Sequence, residues 1–316
     1  MKLFSGSNNL PLSEKISKII NISLSKAEII RFGNSEVRVR IEDDVKNDVC
    51  VVIQPTSNPT DTNLMELFFF CDALKRQEAR KVIGIIPYFG YARQDIQHRN
   101  GEAVSANVVI RFLKAVGFDK IYTIDLHNEA TEGAFSIPFK NLSAMPLLAQ
   151  HVAAYLSKKG IDAINPNNVG ILIPDQGAIE QGRQFGELLF KTTDFPLAVV
   201  EKRRDAHSLN KVTSFGLYGD IKGKHVIIVD DMIVSGGTLI AAVDYLLAEH
   251  KVKSVYAAMT HHDFINDAVE KLSKSNIDQL FTTDTILLKD DQKFEKHQEI
   301  TVAPLLANEL EYYKTV

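Results

Sequence analysis

Short apolar runs alternate with helix-period segments along most of this chain, and this alternation restricts the fold more than any other feature. The runs are VCVVIQ (49–54), KVIGIIP (81–87), KIYTIDL (120–126), VGILIPD (169–175), LAVVEK (197–202), HVIIVDD (225–231) and SVYAAMT (254–260). Runs that are apolar on both faces predict buried parallel strands, and strands separated by helices predict an α/β fold.

A repeat underlies the alternation. The segments 50–89 and 226–262 each read strand, polar loop, helix, strand. In the first helix Leu64, Leu67, Phe68, Cys71 and Leu74 share one face, and in the second Leu239, Val243, Leu246 and Leu247 do. Two similar domains are expected, each a mostly parallel sheet flanked by helices. Pro138 and Pro146 interrupt the pattern near their boundary, which gives residues 1–145 and 146–299, with the segment from 300 to 316 a candidate to return to the first domain.

Composition limits the partners. With 36 Lys and Arg against 40 Asp and Glu, a net charge of -4 creates no general field for nucleic acid or a membrane surface, so a bound anion needs a local site. Cys50 and Cys71 lie in apolar stretches and read as small core residues of a reduced, cytoplasmic protein. The opening MKLFSGSNNL has too short an apolar run for a signal peptide, and no stretch approaches the roughly 18 apolar residues of a membrane span.

The strongest local signal is VIIVDDMIVSGGTLI (226–240). A strand leads to two carboxylates, Asp230 and Asp231, and then to a Ser-Gly-Gly-Thr turn that opens a helix. Open parallel sheets bind ligands at this edge. Gly236 and Gly237 let the backbone approach a phosphate, the helix start directs amides at it, and Ser235 and Thr238 add hydroxyl donors. Asp230 and Asp231 would repel the same phosphate and suit ribose hydroxyls or magnesium. The corresponding loop of the first repeat, QPTSNPTDTN, has neither glycine nor a carboxylate pair, so one sugar-phosphate site per chain is expected.

This segment resembles the phosphoribosyl diphosphate (PRPP) loop shared by type I phosphoribosyltransferases and ribose-phosphate diphosphokinases. IIPYFGYARQD (85–95), IYTIDLHN (121–128), EKRR (201–204), RFGNSEVRVRI (31–41) and NLMELFFFCDALKR (63–76) resemble the diphosphokinases specifically. The resemblance runs from Leu3 to about Leu306. It implies two type I phosphoribosyltransferase-like domains, ATP and ribose 5-phosphate as substrates, and a homo-oligomer with its ATP site at a subunit interface. The expected activity transfers the β,γ-diphosphate of ATP to C1 of ribose 5-phosphate.

Residue by residue, the resemblance implies that Arg93 and Gln94 bind ATP and that Phe32, Asn34 and Glu36 reach in from a neighbouring subunit. Phe32 can stack on adenine, Asn34 and Glu36 can meet its amino edge, and Arg93 can contact a phosphate. Taken alone, Phe32 reads as a core residue. The resemblance also implies that His127 and Asp175 hold magnesium; the metal's preference for oxygen makes Asp175 the more natural ligand, and a buried histidine is the other reading of His127. Lys202 and Arg204 fall in a segment that the family places, with the following AHSLNKVTSFG, on a mobile loop over the substrates; an exposed KRR run is otherwise a solvated surface. Arg204, Asp230, Asp231, Val234, Ser235, Gly236, Gly237 and Thr238 are the implied ribose 5-phosphate contacts.

Some positions depart from the family pattern. Val234 stands where a polar residue is common in the loop, and Ala178 and Glu180 replace a Gly-rich, basic turn. The common form also has an anion site through which phosphate activates and ADP inhibits, built from a Ser and an Arg before the 49–54 run, a Ser before the 81–87 run and a Ser-rich tail. Here Asp44, Lys46 and Glu78 occupy those positions and the chain ends ANELEYYKTV, so no such regulation is expected. A phosphoribosyltransferase that consumes PRPP would leave YARQD, His127 and the KRR run without a purpose. A catalytically silent subunit should have lost part of the set Lys202, Arg204, His127 and Asp175, and none is lost.

Overall fold

The structure, a computed structural model, describes residues 1–174, 176–204, 212–265 and 267–314, with side chains described at all of these except 176, 201–204 and 212–215. The chain divides into two compact units: residues 1–143 with 284–287 and 301–316, and residues 144–283 with 288–300.

In chain order the first unit contains β1 (Lys2–Ser5), α1 (Leu10–Ile20), β2 (Ala27–Arg31), β3 (Val37–Ile41), β4 (Val49–Ile53), α2 (Thr60–Arg76), β5 (Lys81–Ile86), α3 (Ser105–Val116), β6 (Lys120–Ile124) and β7 (Phe139–Leu142). Strands β1-β4-β5-β6-β7 form a parallel sheet in that order, and β2 and β3 pair separately as an antiparallel hairpin. Every residue of β4 is buried, as its doubly apolar run requires. The predicted apolar face of α2 is buried throughout, and with Phe4, Val82 and Leu113 it forms one core. Cys50 and Cys71 lie in that core as free thiols, and burial pushes both up to about 12, which leaves them unreactive.

The second unit contains α4 (Met145–Lys158), β8 (Val169–Ile173), α5 (Ile179–Phe190), β9 (Leu197–Arg204), β10 (Val212–Tyr218), β11 (His225–Ile233), α6 (Gly237–Glu249), β12 (Ser254–His262), α7 (Ala268–Lys274), β13 (Gln279–Thr283) and β14 (His297–Ile300). Its sheet runs β10-β9-β8-β11-β12-β13-β14, parallel except for the β9–β10 pair. Leu239, Val243 and Leu246 of α6 are buried in its core and Leu247 is partly buried.

The last helix, α8 (Ala303–Leu310), belongs to the first unit and packs on α1. Buried Asp284 secures this return. Its carboxylate accepts from the Val302 amide at 2.7 Å and pairs with the Lys15 ammonium at 2.7 Å, while its carbonyl accepts from Asn9 Nδ2 at 2.9 Å. Beyond α8 the hydroxyls of Tyr313 and Tyr122 meet at 3.0 Å.

One sequence expectation is corrected. Within the stretch AHSLNKVTSFG residues 206–211 lie outside the described residues, but Val212–Tyr218 is β10, antiparallel to β9, and β9, expected over 197–202, runs on to Arg204. The β-branched and aromatic residues of VTSFGLY favour an extended chain, which the polar residues before them obscured. No helix of the described residues is long and apolar enough to cross a membrane.

Candidate active site

In the second unit the strand order carries several candidate residues to one sheet edge. Strands β9, β8 and β11 are parallel neighbours, so the backbone at Lys202 and Arg204, the end of β8 at Ile173 and the loop after β11 share the C-terminal edge. This edge is where open α/β sheets bind ligands. The side chains of Lys202 and Arg204, and Asp175 altogether, lie outside the described residues.

The β11–α6 connection has the features expected of an anion-binding loop. Gly236 is the residue before α6 and has φ 72°, a left-handed conformation that costs other residues energy. A Cβ there would also stand 3.0 Å from Leu272 Cγ. No side chain caps α6 and its first turn has no acidic residue, so its leading amides have no competing acceptor built in from the cap position. Ser235, Gly237 and Thr238 are exposed, Gly236 is buried, and Val234 is half-buried on the loop.

The two carboxylates are not equivalent. Strand β11 runs to Ile233, two residues past the HVIIVDD run, so Asp230 and Asp231 lie within it and their exposure alternates. Asp231 is buried, whereas Asp230 is half-buried and its Oδ1 accepts from the Asp231 amide at 3.0 Å. Asp230→Asn is therefore expected to raise the KM for ribose 5-phosphate about tenfold, the scale of one charge-assisted hydrogen bond, without a comparable change for ATP. Initial rates with each substrate varied in turn check this; equal changes in both constants would indicate a role common to both substrates.

Beside the loop, β12 ends in two buried histidines that the sequence reading did not single out, His261 and His262. Burial holds the His262 imidazole down at about 3, with neighbouring His297 and His261 adding to the effect. It stays neutral near pH 7 and adds no charge beside this loop.

The loop of the first repeat is instead filled by its own chain. Gln54, Thr56 and Ser57 are buried. Asn8 Nδ2 donates to the Pro55 carbonyl and to Ser57 Oγ, both at 2.9 Å, and Asn63 Nδ2 donates to the Ser57 carbonyl at 2.8 Å. The Thr56 hydroxyl accepts from the Gly90 amide at 2.7 Å, and a Cβ at Gly90 would lie 2.3 Å from the Thr56 carbonyl oxygen.

This packing sets the path of the Arg93 segment after β5. Arg93 and Gln94 are exposed, and Gln94 Oε1 accepts from Ser105 Oγ at 2.7 Å at the start of α3. His127 is exposed on the loop after β6, the neighbouring strand, which removes the buried-histidine reading. Asn128 Nδ2 donates to Asp95 Oδ2 at 2.7 Å and ties the two loops together. Sequence reasoning missed this tie, since both residues are ordinary polar loop residues until the strands bring them side by side.

Phe32, Asn34 and Glu36 form the turn of the β2–β3 hairpin. All three are exposed, and Phe32 at 44% is no core residue. Asn34 Oδ1 accepts from the Glu36 amide at 3.3 Å, and the Arg38 guanidinium lies 5.8 Å from the centre of the Phe32 ring.

Comparison with known proteins decides the family. Residues 1–117 match the N-terminal domain of ribose phosphate pyrophosphokinase, and residues 138–294 match the phosphoribosyl transferase domain. Ribose-phosphate pyrophosphokinase of Fusobacterium nucleatum is 36% identical over 98% of this chain and 94% of its own. The chain belongs to the ribose-phosphate pyrophosphokinase family. Ribose-phosphate pyrophosphokinase 1 of Streptococcus pyogenes is 34% identical, covering 97% of this chain and 92% of its own. The crystal structure of phosphoribosylpyrophosphate synthetase from Mycobacterium smegmatis superposes with a TM-score of 0.88 at 30% identity, covering 100% of this chain and 99% of the other. Among the described residues no cluster of three or more His, Cys, Asp or Glu could hold a metal ion. In a pyrophosphokinase of this family that is compatible with magnesium, which commonly rests on one or two protein ligands and on substrate phosphates while keeping several waters.

Proposed function

We propose that this chain is an ATP-dependent diphosphotransferase that makes PRPP and AMP from ATP and ribose 5-phosphate. The observation that carries this reading is family membership across both units, joined to the uncapped, glycine-opened helix start after β11. The C1 hydroxyl oxygen bonds to the β-phosphorus of ATP, the bond from that phosphorus to the bridging oxygen breaks, AMP departs with that oxygen, and the hydroxyl proton is released.

The loop from Val234 to Thr238 holds the 5-phosphate by backbone amides and hydroxyls, and Asp230 meets the ribose hydroxyls. Arg93 and Gln94 bind ATP, with Phe32, Asn34 and Glu36 supplied by a second copy of the chain, so the active unit is at least a dimer. Lys202 and Arg204 stabilise the charge that spreads over the transferring group. His127, which is exposed, and Asp175 are the residues that would hold magnesium, which when bound would neutralise phosphate charge. Mixing the purified protein with ATP, magnesium and ribose 5-phosphate should yield AMP and PRPP in equal amounts; AMP without PRPP, or activity from a monomer in sedimentation, would overturn the corresponding part of the proposal. A phosphoribosyltransferase consuming PRPP leaves the N-terminal match without a role.

Regulation is expected to differ from the common form. Lys46 Nζ is 2.6 Å from Glu78 Oε2, and the Asp44 carboxylate accepts from the Lys46 amide at 3.1 Å. The single ammonium already faces a carboxylate, and two acidic groups line the place where an anion would sit, which disfavours phosphate there. The enzyme is expected to work without added phosphate, with ADP inhibiting only by competition. Initial rates across ADP concentrations at saturating ATP test this: inhibition that survives saturation refutes it.

A further inference from the structure

The Glu66 side chain is 0% exposed, yet it is a carboxylate on α2, the helix whose apolar face lies in the core of the first unit. Burying such a group is costly unless hydrogen bonds and an opposite charge compensate. Here the compensation is unusually full. Oε1 accepts from the Ser7 amide at 2.7 Å and Gln54 Nε2 at 3.0 Å; Oε2 accepts from Ser7 Oγ at 2.7 Å and Arg31 Nη2 at 3.2 Å. Gln54 is itself oriented, because its Oε1 accepts from the Asn8 amide at 3.1 Å. Ser7 and Gln54 follow β1 and β4, so the carboxylate is fixed by two loops at the sheet's C-terminal edge.

Arg31 is the last residue of β2, immediately before the hairpin turn, and its other terminal guanidinium nitrogen, Nη1, donates to the Ser35 carbonyl at 3.3 Å. Ser35 has φ 72° and its amide donates to the Phe32 carbonyl at 2.9 Å. At Gly33 the turn stands clear, since a Cβ there would meet nothing within 4 Å. One planar fork therefore connects a buried, fully satisfied carboxylate to the middle of an exposed turn. A lysine can reach one of the two acceptors but lacks the fork that spans both.

We infer that Glu66 and Arg31 are positioning residues that hold the Phe32–Glu36 turn in the conformation that presents Phe32, Asn34 and Glu36 to ATP. This rests on the reading that those three residues contact the nucleotide. A conformationally free turn has to be ordered each time ATP binds, and Arg31 meets that entropic cost in advance.

The test compares Arg31→Lys, Glu66→Gln and Phe32→Ala in the assembled enzyme. Arg31→Lys keeps a positive charge beside Glu66, so the fold is retained. It is expected to raise the KM for ATP about tenfold, the scale of one charge-assisted hydrogen bond. The kcat and the KM for ribose 5-phosphate should stay within about twofold, as for a contact made equally in ground and transition states. Hydrogen exchange at the Phe32 and Ser35 amides should quicken at least about tenfold with exchange in β4 and β5 unchanged, as local opening requires. Glu66→Gln places an amide group among four donors and should quicken the same exchange. If Phe32→Ala raises the KM for ATP while Arg31→Lys alters neither that constant nor turn exchange, the positioning role is wrong and the nucleotide reading stands. If Phe32→Ala leaves the KM for ATP unchanged, the nucleotide reading fails and the inference fails with it. Equal loss across kcat and both constants in Arg31→Lys, with faster exchange throughout the unit, would show a general structural role instead.

Discussion

Replacing Lys202 by alanine is expected to lower kcat by about 10²-fold or more, the scale of losing one preorganised electrostatic contact to a transition state. In the proposed transfer, negative charge spreads over the moving diphosphoryl group and the departing AMP, and an ammonium carried near the end of β9 opposes it. Strand β9 pairs with β8 as far as Val199 and with β10 beyond it, where Phe215 stands opposite Lys202, so the Lys202 backbone is held on a strand and needs less ordering than a residue on an open loop. The apparent affinity for ATP should change less than kcat, since the contact strengthens as charge develops. Steady-state kinetics with circular dichroism to confirm folding decide the matter, and an unchanged kcat would remove Lys202 from the chemistry.

Gly236→Val should lower kcat/KM for ribose 5-phosphate by about 10²-fold while ATP binding persists. A left-handed backbone at a non-glycine residue costs about 1–3 kcal/mol, and each 1.36 kcal/mol corresponds to about a factor of ten. At Gly236 the φ of 72° is joined by a Cβ position 3.0 Å from Leu272 Cγ, so the loop has to move to relieve both. That movement shifts the leading amides of α6, which are the proposed phosphate donors. At Gly237 a Cβ would meet nothing nearer than Ser235 Oγ at 3.8 Å, so Gly237→Ala should be distinctly milder. Calorimetric titration with ribose 5-phosphate separates the two; equal affinities for wild type and Gly236→Val would dismiss the loop as the sugar-phosphate site.

Much of the architecture was legible because buried parallel strands have to be apolar on both faces. The seven runs each became a strand, and the βαβ repeat stands in both units. What stayed hidden was information that only three-dimensional neighbours supply. Strand β10 was masked by the polar residues before it. The unequal burial of Asp230 and Asp231 follows from β11 extending to Ile233, beyond where its apolar run stops. Glu66 reads as one more helix carboxylate among Leu64 and Leu67, and its burial depends on donors 59 residues away at Ser7 and 35 residues away at Arg31. The proposed sugar-phosphate loop was the clearest part of the candidate site, because it is contiguous in sequence. The proposed ATP residues come from two separate segments, the 32–36 turn and Arg93 with Gln94, and family resemblance gathered them where local pattern could not.

The return of α8 to α1 bears on how the molecule is made. A ribosome delivers residues 1–143 long before the chain reaches Asp284, Val302 and Tyr313, so the nascent first unit lacks the partners of Asn9, Lys15 and Tyr122 until synthesis is nearly over. Contacts between residues this far apart raise contact order and delay closure of the unit. During that interval the side of α1 that packs on α8 lacks this cover, and the second unit can complete its sheet first. Expressing residues 1–143 as an isolated fragment would make that exposure permanent, and aggregation of the fragment is the expected consequence.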